Sequence, residues 1–386
     1  MARDQREPDA AAAPCRSLVV GNYCHDVLMR DGVVLAETLG GATSFICTVL
    51  DGLSIPSHCI AKVGSDFAYP VSHSPVAVPS SATTLFHAHF FSELQSDAHG
   101  DRVLKRVRAC DPISPSDLPE SRFAFGMAVG VGGEISPETL ERMLDICDVV
   151  LVDIQSLIRE FDPSDGTVKL VNLKESGFFH LLPRVGFLKA SEEEAPFLDV
   201  EEARKCCCVI VTNGEDGCTV YWQGEEWRIS PFPTVQVDPT GAGDSFLGGF
   251  VSGLVEALAV PDAALLGNLF GSLTVSQIGL PKFDSGILQR VKDEVQRRKM
   301  QYIGCNERRK NSDMNFTKPV GHKQFHASLS TARLISASLT EDCQWDLQDS
   351  TPKAVEESMH PQCSGQQRLS INTVYEEPIQ SVDGRP

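Results

Sequence analysis

Basic residues are scarce in this 386-residue chain. Lysine and arginine number 34 against 52 aspartates and glutamates, a formal net charge of −18. Nucleic acid and anionic membranes carry the same sign, so neither is an expected partner. Long apolar runs are missing too, and none reaches the length of a bilayer span. The opening MARDQREPDAAAAPC is charged, then alanine-rich, and has no apolar segment of the secretory kind. Residues 1–15 therefore read as a disordered leader, and the cytoplasm is the expected location. The 13 cysteines lack the pattern of a disulfide scaffold: their number is odd and no C-x-x-C pair occurs. Cys206, Cys207 and Cys208 run straight into apolar VIVT and read as small hydrophobes at a strand start. No internal repeat is visible.

What is present is a core. A hydrophobic content of 42% suits a globular α/β protein. SLVVGNYCHDVLM begins with a buried strand, with Asp26 just beyond it. RDGVVLAETLGGATS reads as a hairpin turning on Asp31-Gly32. SFICTVLDGL predicts a helix and HCIAKVG a strand. TTLFHAHF and DRVLKRVRA alternate weakly, as strands of a small extra sheet would. SPETLERMLDIC has Ser136 as a cap and Pro137 at the first helical position. DVVLVDIQ, VGFLKAS and CVIVTNGEDGCTVYW supply solid apolar strands. Solid strands alternating with helices imply a mostly parallel sheet covered on both faces. Beyond about residue 300 apolar periodicity fades, and 301–386 reads as a disordered tail.

The segment VDPTGAGDSFLGGF is a strange helix start. Leu247, Phe250, Val251 and Leu254 recur at helical spacing, yet four glycines crowd the same stretch. Each helix-interior glycine costs about 1 kcal/mol relative to alanine. A loop entering a helix resolves the oddity. Gly241 and Gly243 let the backbone approach a ligand closely. The N–H groups of Gly241, Ala242, Gly243 and Asp244 lack intrahelical acceptors, and the helix dipole adds positive charge there. That is an anion site suited to phosphate. Asp244, in the first turn, is placed to take a hydroxyl proton while the N–H groups stabilise a phosphoryl group in transfer. Gly248 and Gly249 are expected to let the helix pack tightly on the sheet. The lysine of a G-x-x-x-x-G-K-[ST] loop is absent.

DPTGAGDSFLGGF resembles the C-terminal signature of the ribokinase/PfkB carbohydrate kinases, and the resemblance covers about residues 16–300. It implies a ribokinase-like α/β domain with a small β-sheet lid, drawn from about 28–45 and 72–110. It also implies ATP as donor, Mg²⁺ as cofactor and a small sugar or polyol as acceptor; dependence on a monovalent cation and the oligomeric state stay open. By resemblance, Asp26, Gly40 and Gly41 hold the acceptor and Asp244 is the base. Gly241, Ala242 and Gly243 form the anion hole. Ser191 stands where the family has the asparagine of N-x-x-E, and Glu194 is the retained acid, supporting magnesium through water. Thr212 and Gly214, in VTNGEDGC, lie near the nucleotide, and Asn268 borders the adenine. VVGNYCHDVLMRDGVVLAETLGGA is most similar to plant kinases that phosphorylate a ring hydroxyl of myo-inositol. A kinase for another sugar or nucleoside, and a silent scaffold of the same fold, are the competing readings. Glu192 and Glu193 read as solvated. His87 and His89 lack a third ligand for a metal. Lys105, Arg106 and Arg108 read as a solvated face more than as a phosphate clamp.

Overall fold

The structure, a computed structural model, describes residues 17–90, 102–305 and 314–345. The chain divides into residues 1–340 and a short unit from 341 on; the architecture and the site both belong to the first. The elements begin with β1 (Ser17–Val20), β2 (Cys24–Arg30), β3 (Val33–Gly40), α1 (Ala42–Gly52), β4 (Ser57–Ile60), β5 (Lys62–Gly64), β6 (Val76–Val78), β7 (Thr84–Phe90) and β8 (Arg102–Arg108). They continue with β9 (Phe123–Ala128), α2 (Pro137–Ile146), β10 (Cys147–Asp153), α3 (Gln155–Ile158), β11 (Arg159–Phe161), β12 (Val168–Leu170) and β13 (Phe187–Ser191). Last come α4 (Val200–Cys206), β14 (Cys208–Thr212), β15 (Cys218–Trp222), β16 (Glu225–Ile229), α5 (Ala242–Val255), α6 (Val260–Thr274), α7 (Ser285–Cys305) and α8 (His322–Trp345).

Eight strands form the central sheet in the order β16-β15-β14-β13-β10-β9-β1-β4. The six from β14 to β4 run parallel; β15 and β16 close the edge as an antiparallel hairpin. Strand alternation sorts the core into two layers. Val19, Met127, Leu151, Phe187 and Ile210 face α1, α5, α6 and the later helices. Leu18, Val20, Val150, Leu188 and Val209 face α2 and α4. Ser136 caps α2 by accepting from the Thr139 N–H at 3.3 Å.

The strands of the expected lid form a separate four-stranded sheet, β3-β2-β7-β8. The predicted hairpin is present: β2 and β3 pair antiparallel around Asp31 and Gly32, both at positive φ (49° and 83°). The lid begins earlier than expected, at Cys24, and gives way to α1 at Ala42. HCIAKVG is two strands rather than one, because β4 joins the central sheet while β5 pairs with β6.

Four expectations need correction or a boundary. The chain does not lose its structure at residue 301. α7 runs to Cys305, and α8 buries Phe325, Leu329 and Ala332 in the core. The leader 1–15, and the parts of the predicted tail at 306–313 and 346–386, lie outside the described residues. Gly248 and Gly249 serve helix–helix contact, not helix–sheet contact. A Cβ on Gly248 would meet Val49 of α1 at 2.9 Å, and one on Gly249 would meet the Leu266 carbonyl of α6 at 2.7 Å. Of the three adjacent cysteines, Cys207 and Cys208 are buried and Cys206 is exposed.

Candidate active site

The C-terminal ends of β10, β13 and β14 open beneath the start of α5, the position where open α/β sheets bind ligands. Gly241 caps α5 in the left-handed region, φ 75°. A Cβ there would lie 2.1 Å from the Phe45 ring, so only glycine fits both the turn and the contact. Ala242 directs its N–H back to Pro239 O at 3.3 Å, so it is not a free donor of the hole. Gly243 and Asp244 follow it in the first turn of the helix, where the N–H groups have no intrahelical acceptor.

Beneath this turn lies a buried charge cluster that the sequence did not reveal. Leu151 and Asp153 on β10, and Phe187 and Lys189 on β13, continue the sheet face that carries α5. Lys189 Nζ and Asp153 Oδ2 pair at 2.9 Å, and both residues are buried. The same ammonium is 2.7 Å from where a Gly243 Cβ would be. Gln155 Nε2 donates to Asp244 Oδ1 at 3.1 Å. Glu194 and Ser191 bond reciprocally: Ser191 N–H donates to Glu194 Oε2 at 2.9 Å, and Glu194 N–H to Ser191 Oγ at 3.2 Å.

Carboxylates outnumber cations here. Burial pushes the Asp244 carboxyl above its usual range, against Lys189, Arg159 and the Gln155 amide. Burial, opposed by Lys189 and reinforced by Glu194 and Asp244, pushes Asp153 up to about 6. Burial works against the Lys189 ammonium, but the three carboxylates overcome it and hold it above its ordinary value. Glu194 loses to burial but gains more from Lys189, Arg159 and the Ser191 N–H, and sits low. Burial is the main reason Asp153 and Asp244 are raised, and the surplus of negative charge adds to it while holding Lys189 high.

Beside the α5 start opens a cavity of about 500 Å³. Thr212, Gly214, Ala242, Gly243 and Asn268 all line it, together with Pro231, Phe232, Pro233 and Phe246. Five residues expected near the nucleotide from separate parts of the chain thus share one wall. Asn268 turns its amide to the backbone, donating to Ile229 O at 3.2 Å and Ser230 O at 2.9 Å. It shapes the cavity's edge rather than presenting its N–H groups to it.

On the lid side, Asp26 lies across Gly40. A Cβ on Gly40 would be 1.9 Å from Asp26 Oδ2, so glycine is what seats that carboxylate. Gly41, φ 85°, caps α1, and a Cβ there would strike Asn22 O at 2.5 Å. Burial, and then the charges of Asp26, Glu134 and Asp244, push the buried Cys24 thiol up.

The remaining candidates are accounted for. Lys105 pairs with Asp165 at 2.5 Å, Arg106 stacks 3.5 Å from the Phe161 ring centroid, and Arg108 meets Asp66 at 3.5 Å. Glu192 and Glu193 are exposed. Among the described residues no trio of His, Cys, Asp or Glu could cage a metal, His87 and His89 included. Asp153, Gln155, Arg159 and Lys189 were not expected from the sequence. The available signal was a charge inside an apolar run, in VLVD and FLKAS.

A carboxylate at a glycine-rich helix start, next to a cavity of about 500 Å³ lined by Ala242 and Gly243, is the arrangement of a small-molecule phosphotransferase. Residues 143–282 match the pfkB family carbohydrate kinase, and the chain belongs to the ribokinase/PfkB family of carbohydrate kinases. It is 62% identical over 319 residues to inositol 3-kinase of Arabidopsis thaliana, spanning 82% of this chain and 87% of that one. It is 53% identical over 332 residues to inositol 3-kinase of Oryza sativa subsp. japonica, spanning 82% of each. Its fold is similar to that of a pyrophosphate-dependent kinase of the ribokinase family solved with a pyrophosphate analog and myo-inositol. The TM-score is 0.58 at 18% identity, over 69% of this chain and 97% of that one.

Proposed function

We propose that this chain transfers the terminal phosphoryl group of ATP to a ring hydroxyl of myo-inositol. The observation that carries the reaction type is Asp244, in the first turn of α5 directly after Ala242 and Gly243, which line the cavity. The acceptor is supported by the inositol 3-kinases that this chain resembles over most of its length.

The roles follow from the chemistry. Asp26 accepts hydrogen bonds from neighbouring hydroxyls of a polyol, each charge-assisted bond contributing about 1.5–3 kcal/mol. Gly40 and Gly41 keep that carboxylate and the α1 start in register with it. Asp244 takes the proton of the attacking hydroxyl, and its raised affinity for protons suits a base. Gln155 fixes which way its carboxylate points. The first-turn N–H groups, with Lys189 immediately behind Gly243, oppose the charge that builds on the phosphoryl oxygens. Thr212, Gly214 and the edge held by Asn268 enclose the nucleoside.

Magnesium, when bound, neutralises phosphate charge and orients the donor. The donor set here fits an ion held mainly by phosphates and water, with Glu194 and Ser191 behind that water. The lid is proposed to exclude water from the acceptor. The cytoplasm is the proposed location, in keeping with nine free cysteines among the described residues.

A pyrophosphate donor is the specific rival, raised by the fold relative solved with a pyrophosphate analog. The cavity of about 500 Å³, lined by Phe232, Phe246 and three prolines, gives a purine a place that pyrophosphate leaves unfilled. The test is turnover with ATP or pyrophosphate and Mg²⁺ across myo-inositol, fructose, ribose, adenosine and no acceptor. ATP with myo-inositol is expected to stand out, and Asp244→Asn to lower kcat by about 10²–10⁴-fold. Preference for another acceptor sinks the inositol assignment, and activity with pyrophosphate alone sinks the donor. Nucleotide binding with no turnover favours a scaffold.

A further inference from the structure

The nucleotide cavity has an outer wall made by residues 231–236, the loop from β16 to α5. Pro231, Phe232, Pro233, Thr234 and Gln236 all face the cavity. This loop is poorly equipped to hold its own shape. Its two prolines have no N–H, and among the described residues the backbone of 231–236 makes no backbone–backbone hydrogen bond. The start of the loop is held from inside by Asn268 at Ile229 O and Ser230 O.

The middle of the loop is held from outside, by α8. His326 Nε2 meets Pro231 O at 3.0 Å, and its ring lies 4.6 Å from the Phe232 ring. Arg333 Nη1 donates to Pro233 O at 2.9 Å. The helix itself is firmly seated. His322, Phe325, Leu329 and Ala332 recur at helical spacing and are buried. His322 Nδ1 is 2.5 Å from Asp262 Oδ1, and Arg298 Nε reaches Asp262 Oδ2 at 2.6 Å. These contacts tie α8 to α6 and α7.

We propose that α8 positions the outer wall of the nucleotide cavity, with His326 and Arg333 as positioning residues for the purine end of ATP. This rests on the ATP reading above. By linkage, a nucleotide that needs the wall in place also favours the docked helix.

The experiment compares wild-type chain with His326→Ala, Arg333→Ala and the pair. It reads KM for ATP, KM for myo-inositol, kcat, Tm and the calorimetric Kd of a non-hydrolysable ATP analogue. Losing two net hydrogen bonds is expected to raise KM and Kd for the nucleotide about tenfold. KM for myo-inositol and kcat should stay within about twofold. His326→Gln, which restores an N–H donor, should recover most of the loss. Hydrogen exchange in residues 322–334 should slow with the analogue and not with myo-inositol alone. Unchanged nucleotide affinity in the paired variant overturns the proposal. So does a loss shared equally by both substrates along with Tm, or exchange that ignores the nucleotide. A wild-type chain that binds no nucleotide overturns this proposal and the ATP reading together; one that binds it normally while the variants do likewise overturns only this one.

Discussion

Asp244 depends on a residue 55 positions earlier in the chain. Lys189 lowers its proton affinity, burial raises it, and burial is the larger effect. A base is active when deprotonated, so activity is expected to fall as pH drops through the raised Asp244 value. Lys189→Met removes a charge that favours the carboxylate. The acid limb of kcat/KM should therefore move to higher pH, alongside a loss of kcat from the anion hole. A pH–rate profile of both proteins reads it, and an unmoved limb would show that Lys189 does not act on the base. Legibility at this scale was uneven. DPTGAGDSF exposed Asp244 and its glycines because an ordinary turn has no need of so dense a string. Lys189 and Asp153 are 36 residues apart, and a charge inside an apolar strand gives no hint of its partner. Asn268 lines the cavity, but the sequence could not show that the Ile229 and Ser230 carbonyls claim its amide.

Among the elements, the hairpin of β2 and β3 and the helices α1, α2 and α5 were legible, because turn residues, caps and apolar periods agreed. The break between β4 and β5 was not, because one apolar run crosses from the central sheet to a small one at Ala61. The packing of α5 was readable in composition and misread in direction. Its glycines let α6 approach closely, with the Leu266 carbonyl 2.7 Å from a Gly249 Cβ and Ala263 Cα 2.7 Å from a Gly253 Cβ. Backbone atoms give way poorly, so Gly249→Ala is expected to push α6 off α5. A cost of about 1–3 kcal/mol is typical for such overpacking. Thermal or denaturant unfolding measures it. Stability equal to wild type would mean that α6 shifts freely and that the contact is not tight.

For the molecule as a whole, the kinase unit continues past the reach of the resemblance. α8 looked like tail because its apolar residues are few and sit among serine, lysine and histidine. Three of them are nonetheless buried. Burying Phe325 and Leu329 contributes about 1.5–3 kcal/mol each, against a total stability of about 5–15 kcal/mol for a typical domain. A chain ended at Cys305 should melt well below the full-length protein and leave apolar surface open to dye binding. A full-length-like Tm after that cut would show that α8 adds little to the fold.

The seat of Asp26 on Gly40 has a genetic side. Any coding change at a glycine codon that still yields an amino acid adds at least a Cβ, and here that atom falls 1.9 Å from a carboxylate oxygen. No substitution at codon 40 is conservative, whatever its chemistry. Alleles altered there are expected to make full-length, folded protein in which the carboxylate proposed to bind the acceptor is displaced, so the defect would show in metabolite levels while protein abundance stayed normal.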